Sequence, residues 1–442
     1  YDLNGKAIYL SVCDKRGVVP SSLFIRDWNH ELLKLNHYGL GVTGAKALAH
    51  ALKRNANVVK LNLEDNSLMA EGTKHISEML IKNSHIKDMN LARNQLRAGG
   101  AEAVCRMLRE NSTLERLNLS GRHKLNNSVQ CLTKLNCTVK ELDLSHNEFC
   151  GQGGEHLGHL LVKNRSLQAL NLSWNHLRLK GAITICAGLQ ANTSLRRLDI
   201  SWNGFADEGA FAIGEALQHN QTLEFLDLSN NRISCTGAKL LAVGLTANVT
   251  LKILKLSWNP LTTEGAFALL FALKENQDSA LEELNLSNVL VNDAFLQLLD
   301  EIKKTHSNLV VYYAGMGGWV SKKAKEKADL MKAIQDYLAE NKLRLWDFFR
   351  NIDKEGTQMV TIEDFRSGLR PLNLPLDKND LESLINRLDV DKDGKIDYSE
   401  LLQGHKDFRK KSRKMEHRKP LKTLEEKAAL EIIEHDFKKI SL

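Results

Sequence analysis

No stretch of this 442-residue chain approaches eighteen uninterrupted apolar residues, so the sequence offers no membrane-spanning helix. Prolines number five and aromatics make up 6% of residues, too few of either to set a pattern. Cysteine is sparse and unpaired in arrangement: Cys13, Cys105, Cys131, Cys137, Cys150, Cys186 and Cys235 are odd in number, scattered, and form no CxxC. That excludes a disulfide framework and points to a reducing compartment, the cytoplasm first, with nucleus or cilium left open. Neither charge sign dominates. Sixty-one basic residues against 54 acidic ones give a net charge of +7, which does not by itself argue for nucleic acid. The chain lacks GxSxG, a Walker loop, HExxH and a strand followed by GxGxxG, so no enzyme class is indicated. No signal peptide opens it; it begins at Tyr1, which reads as an N-terminus with residues missing before it.

What is present is a long repeat. The pattern LxxLxLxxNxL starts at 58, 86, 114, 139, 167, 195, 223, 251, 281 and 309, with a worn copy near His30. The step is 28 residues except for 25 after position 114 and 30 after 251. A fixed period of this kind signals a solenoid whose units cannot bury their apolar faces alone. The first part of each unit alternates, as in LRRLDIS from Leu195, and predicts a short strand; the second, as in EGAFAIGEALQHN from Glu208, predicts a helix ending in a polar Asn. Asn66, Asn94, Asn147, Asn175, Asn203, Asn231 and Asn259 share one position, where a side-chain amide can satisfy backbone groups left open by the turn. Glycines at 44, 72, 100, 153, 181, 209, 237 and 265 mark the start of each helix, where a larger residue would crowd its neighbour. The unit from Leu114 breaks both patterns with Arg122 and Ser128, and its helix must be shortened.

The stretch LDVDKDGKIDYSELL, residues 388–402, is unlike anything before it. Calcium takes six to eight oxygens, and a twelve-residue loop supplies them when alternate side chains point inward. Counting from Asp389, positions one, three and five are Asp389, Asp391 and Asp393; Gly394 provides the sharp turn at six. Lys395 offers its backbone carbonyl at seven, Asp397 holds a bridging water at nine, and Glu400 gives a bidentate carboxylate at twelve. Asp353, 36 residues upstream of Asp389, begins a poorer copy. Asp353 and Glu355 suit positions one and three, but Thr357 stands at five, Gln358 replaces the turn glycine, and Asp364 at twelve is a methylene short. Val360 matches Ile396, so the two loops are expected to pair through a short antiparallel bridge, with the first binding calcium weakly or not at all.

These loops resemble an EF-hand pair, and the repeats resemble the ribonuclease-inhibitor-like leucine-rich repeats, without the cysteine richness of ribonuclease inhibitor itself. Together they are similar to the leucine-rich repeat-containing protein 74 family. The resemblance implies an α/β fold, a horseshoe solenoid with parallel strands inside and helices outside, followed by an all-α EF-hand domain. Its segments would be an N-terminal cap at 1–29, repeats at 30–312, a glycine hinge and linker helix at 313–342, the EF-hand pair at 343–405, and a basic, amphipathic helical tail at 406–442.

The sequence also suggests where partners would bind. Just before each ladder Asn stand His146, Trp174, Trp202, Asn230 and Trp258, beside Glu141, Asp143, Arg197, Asp199, Asp227 and Lys255. Exposed indoles are frequent interface anchors, and the mixed charge suits a protein rather than a polyanion; alternatively each ring simply stacks on the next unit. The basic run from Lys406 to Lys419 could contact an acidic surface or remain a solvated extension. A last segment containing Leu421, Leu424, Ala428, Ile432 and Ile433 could fold back on the EF-hand pair. Three non-enzymatic roles stay open: a calcium-regulated adaptor gripping an unidentified protein on the inner face, a cytoskeletal or ciliary scaffold stapled by calcium, or an inhibitor or accessory factor of an enzyme.

Overall fold

A computed structural model describes residues 5–121, 138–317, 331, 334–335, 337–338, 343–354, 356–369, 378–389 and 391–416. They fall into two compact units, the repeats and the helical module after them.

In the first unit, eleven strands pair in chain order, every one parallel to its neighbours. Nine are three residues long, from Leu32–Lys34 to Ile253–Lys255. Each buries its central apolar residue, Leu198 and Leu226 among them, and sends the flanking two outward, as the two-residue period requires. Helices of 10 to 14 residues return the chain to the next strand. Their apolar faces meet the strand leucines in one continuous core, which also takes in Tyr9, Cys13 and Phe24 of the two N-terminal helices, Gly5–Arg16 and Ser22–Asp27. Tyr9 and Phe24 rings lie 4.3 Å apart, and the Tyr9 hydroxyl accepts the Ser21 N–H.

The register passes unbroken through the short unit: Leu117 pairs with Leu142 just as Leu142 pairs with Leu170. Arg122, Ser128 and the shortened helix lie outside the described residues. So do Trp319 and the segment from Leu421 to Ile433.

The ladder asparagines act as expected and are buried. Asn203 Nδ2 donates to the carbonyls of Leu172, Ile200 and Ser201 at 2.9–3.0 Å, and its own N–H reaches Asn231 Oδ1. A second buried asparagine ladder runs along the helix ends. Asn220 Nδ2 donates to the carbonyls of Leu189 and Asn192 in the preceding unit, while its Oδ1 accepts the N–H groups of Thr222 and Leu223. Asn83, Asn192, Asn248 and Asn276 do the same toward their own predecessors. At the far end His306 Nε2 lies 3.2 Å from the Asn276 carbonyl.

Glycine crowding is uneven. A Cβ at Gly237 would stand 2.3 Å from Asp207 Oδ1, whereas at Gly181 its nearest contact would be an ordinary 3.4 Å. An equally tight approach, to backbone instead of a side chain, lies deeper in the helices, where a Cβ on Gly158 would meet the Thr184 carbonyl oxygen at 2.3 Å.

Two expectations change. The last strand, Val310–Met316, continues past the repeat boundary placed at 312 because it pairs along the long strand Glu283–Val291, including Leu290 with Gly315. Cys105 is disulfide-bonded, which corrects the reading of the cysteines as unpaired; Cys13, Cys186 and Cys235 carry free thiols.

In the second unit, helices Leu345–Ile352, Ile362–Leu369, Lys378–Leu388 and Tyr398–Glu416 enclose a core of Phe348, Phe349, Phe365, Leu384, Ile396 and Leu401. Strands Met359–Thr361 and Lys395–Asp397 pair antiparallel, with Val360 opposite Ile396 as the sequence predicts. The last helix runs without a break past the boundary placed at 405, so the first basic residues of the tail continue it.

Candidate calcium loop and sheet face

The helix Lys378–Leu388 ends directly before Asp389, and the chain then turns through Lys392 and Gly394, both with positive φ. Gly394, at +80°, is in the left-handed region that a residue without Cβ adopts freely. The turn brings one carboxylate oxygen each of Asp389, Asp391 and Asp393 within 4.8 Å of one another. Asp389 Oδ2 accepts the Gly394 N–H, whereas its Oδ1 is buried without a protein hydrogen-bond partner. Asp391 Oδ1 accepts the Asp393 N–H, and Asp393 Oδ1 that of Lys395. Three crowded carboxylates with an orphaned buried oxygen among them suit a hard, multiply charged cation, which takes only oxygen ligands.

Asp397 and Glu400 stand at the start of the following helix and cap it reciprocally. Asp397 Oδ1 accepts the Glu400 N–H at 2.7 Å, and Glu400 Oε2 accepts the Asp397 N–H at 3.2 Å. The Ser399 hydroxyl, donating to the same oxygen, holds the Asp397 carboxyl below the usual carboxylate range. These two are therefore adjacent to the three-aspartate group without being members of it.

The first loop is built otherwise. Asp353 is 8% exposed, and both its oxygens are engaged: Oδ1 by the N–H groups of Gly356 and Thr357, Oδ2 by that of Gln358. Thr357 donates its hydroxyl to the Met359 carbonyl, and Asp364 Oδ2 accepts from the Thr361 hydroxyl. Gln358 adopts φ +61° where the second loop has glycine. Glu355 lies outside the described residues.

On the sheet, His146, Trp174, Trp202 and Trp258 all have φ between 55° and 58°, a conformation the repeat imposes at that turn. His146 and Trp174 stack at 5.2 Å, Trp174 and Trp202 at 3.9 Å and 9°. The rings stack from unit to unit, and Trp174 and Trp202 still expose 46% and 41%. Trp258 is 70% exposed, separated from Trp202 by Asn230 at the intervening position. Phe225, not singled out from the sequence, lies under the Arg197 guanidinium at 4.2 Å and within 5.2 Å of Lys255 Nζ.

Residues 342–404 match the EF-hand domain pair, and residues 82–105, 135–158, 163–186, 191–214, 219–242 and 247–270 match the leucine-rich repeat. The chain thus joins a leucine-rich repeat array to an EF-hand domain pair, a calcium-binding, protein-interacting combination. Over 79 residues it is 38% identical to the human mitochondrial adenyl nucleotide antiporter SLC25A24, covering 18% of this chain and 16% of that one. Over 56 residues it is 34% identical to a 16 kDa calcium-binding protein of Schistosoma mansoni, covering 13% and 39% respectively. The chain thus spans well under two thirds of either relative. The solved leucine-rich repeat-containing protein LegL7 of Legionella pneumophila is 19% identical, with a TM-score of 0.46 over 65% of this chain and 96% of that one. Among the described residues no helix is long and apolar enough to cross a membrane.

Proposed function

We propose that the chain is a non-enzymatic adaptor of the leucine-rich repeat-containing protein 74 type, in which one calcium ion regulates binding of a protein partner on the open face of the sheet. Asp389, Asp391 and Asp393 would hold the ion together with the Lys395 carbonyl, Asp397 through a water, and both oxygens of Glu400. The loop from Asp353 to Asp364 would support its partner through the Val360–Ile396 pairing and stay silent. The observation that carries this assignment is the contrast at position one: Asp389 keeps an unpartnered buried oxygen, while Asp353 has spent both on its own backbone. His146, Trp174, Trp202 and Trp258 would anchor the partner.

Calorimetric titration of calcium into the full chain, with millimolar magnesium present, tests the reading. One site is expected, with a dissociation constant in the sensor range of about 10⁻⁷–10⁻⁵ M. Glu400→Gln should weaken it by about ten- to a hundredfold, the equivalent of losing a charged ligand contact of roughly 1.5–3 kcal/mol. Two equal sites would overturn the silent-loop assignment. A constant near 10⁻⁹–10⁻⁸ M would leave the ion bound at rest and make it a permanent staple instead of a regulator.

A further inference from the structure

In most strands, though not where Lys34 and Lys255 stand, the residue following the central apolar one does a structural job that does not need a charge. Asn118 and Asn171 accept the backbone N–H two residues on through Oδ1, at 2.8–3.0 Å. Asp143, Asp199 and Asp227 make the same bond at 2.9–3.0 Å. An amide and a carboxylate serve equally as acceptors here. The fold therefore gives no reason for acid at these three positions, and at Asp199 electrostatics gives a reason against it. The strands place Asp199 opposite Asp227, one strand spacing of about 4.8 Å away. Burial pushes the Asp199 carboxyl above its usual range, and the charges of Asp227 and Asp143 add to the effect.

One cation, Lys255, stands opposite Asp227 on the next strand with its ammonium toward a ring, and the others are engaged elsewhere. Arg197 and Lys255 lie against the Phe225 ring, and Arg196 and Lys252 pair with Glu224. Three residues beyond Asp199 along the same turn stands Trp202, stacked on Trp174, with both rings partly open to solvent. An indole face attracts a planar cation, and a carboxylate forks it with two N–H···O bonds; guanidinium satisfies both better than ammonium does.

Building on the reading of the sheet face as a protein-binding surface, we infer that it docks an arginine-bearing basic segment of a partner protein, one guanidinium lying on the Trp202 face turned away from Trp174 and neighbouring ones pairing with Asp199 and Asp227. Asp199 and Asp227 supply specificity and the indoles supply contact area.

The test uses the full chain and four blocked seven-residue peptides, a Gly-Ser framework carrying three arginines, three lysines, three glutamates or three leucines, followed by tryptophan fluorescence and anisotropy. The arginine peptide is expected to bind about tenfold more tightly than the lysine peptide. The double variant Asp199→Asn, Asp227→Asn keeps both acceptor oxygens, so it should melt at the same temperature or higher yet bind the arginine peptide at least about tenfold more weakly. Trp202→Ala should weaken it too. Equal arginine and lysine binding, or binding indifferent to the double variant, overturns the inference. Preferential binding of the leucine or glutamate peptide that Trp202→Ala abolishes also overturns it, while leaving the sheet face as an interface of different chemistry. No binding by any of the four counts against both the inference and the interface.

Discussion

Asn203→Leu is expected to lower the stability of the repeat array by about 4 kcal/mol or more, since each buried polar group left unpaired costs roughly 1–3 kcal/mol. The side chain is 2% exposed and buried between two units, where water cannot replace it. Its two amide hydrogens are shared among the carbonyls of Leu172, Ile200 and Ser201, and its Oδ1 accepts the Leu177 N–H at 3.2 Å. Leucine keeps the branched outline but is bulkier, so overpacking adds to the lost hydrogen bonding. Urea unfolding followed by circular dichroism measures it. The exposed Gln221→Leu is the control, expected to change stability by less than about 0.5 kcal/mol. A loss below about 1 kcal/mol for Asn203→Leu would mean the ladder is ornamental to stability.

The second large effect belongs to Gly158. Helices Gly151–Lys163 and Lys180–Ala191 meet backbone to backbone there: a Cβ on Gly158 would lie 2.3 Å from the Thr184 oxygen and 2.7 Å from its carbonyl carbon, and one on Gly188 2.5 Å from the Gly158 oxygen. Two effects oppose each other on substitution. Replacing a mid-helix glycine by alanine gains about 0.8–1 kcal/mol in helix propensity. Forcing two backbones apart costs more, because neither can rotate away as a side chain can, and overpacking ordinarily costs about 1–3 kcal/mol. Clash wins. Gly158→Ala should destabilise by about 1–2 kcal/mol and Gly158→Val by at least about 3 kcal/mol, whereas Gly151→Ala, which meets nothing within 4 Å, should be neutral or slightly stabilising. Gly158→Ala raising the melting temperature would contradict the close approach.

The leucine period and the Asn66–Asn259 ladder were legible because a solenoid repeats the same local requirement, so a single alignment exposes both. The Val360–Ile396 pairing was legible for a similar reason, two loops held 36 residues apart. Asparagine at helix ends was visible as a residue type, but its bonds to the preceding unit depend on how helices stack, which no single unit encodes. The Gly158–Thr184 contact is hidden for the same reason, since it is set by the distance between two helices. The long final strands escaped because pairing of Leu290 with Gly315 and of Val291 with Met316 follows no repeat period. In the calcium loop the ligand types could be read off directly, whereas the reciprocal capping of Asp397 and Glu400 could not, because the same residues serve either purpose.

The helix-end asparagines give the array a direction. Each amide reaches back toward the unit made before it: Asn220 to Leu189 and Asn192, Asn248 to Leu217 and Asn220. Cutting the array within its C-terminal part would strip donors from carbonyls already folded away in the unit left behind. Cutting within its N-terminal part would free amides that water can satisfy at the new end. Damage should therefore travel more readily from the last repeat inward than from the first repeat outward. During synthesis, each completed unit would wait for the next one to seal its carbonyls, a ratchet that closes only when His306 arrives at Asn276.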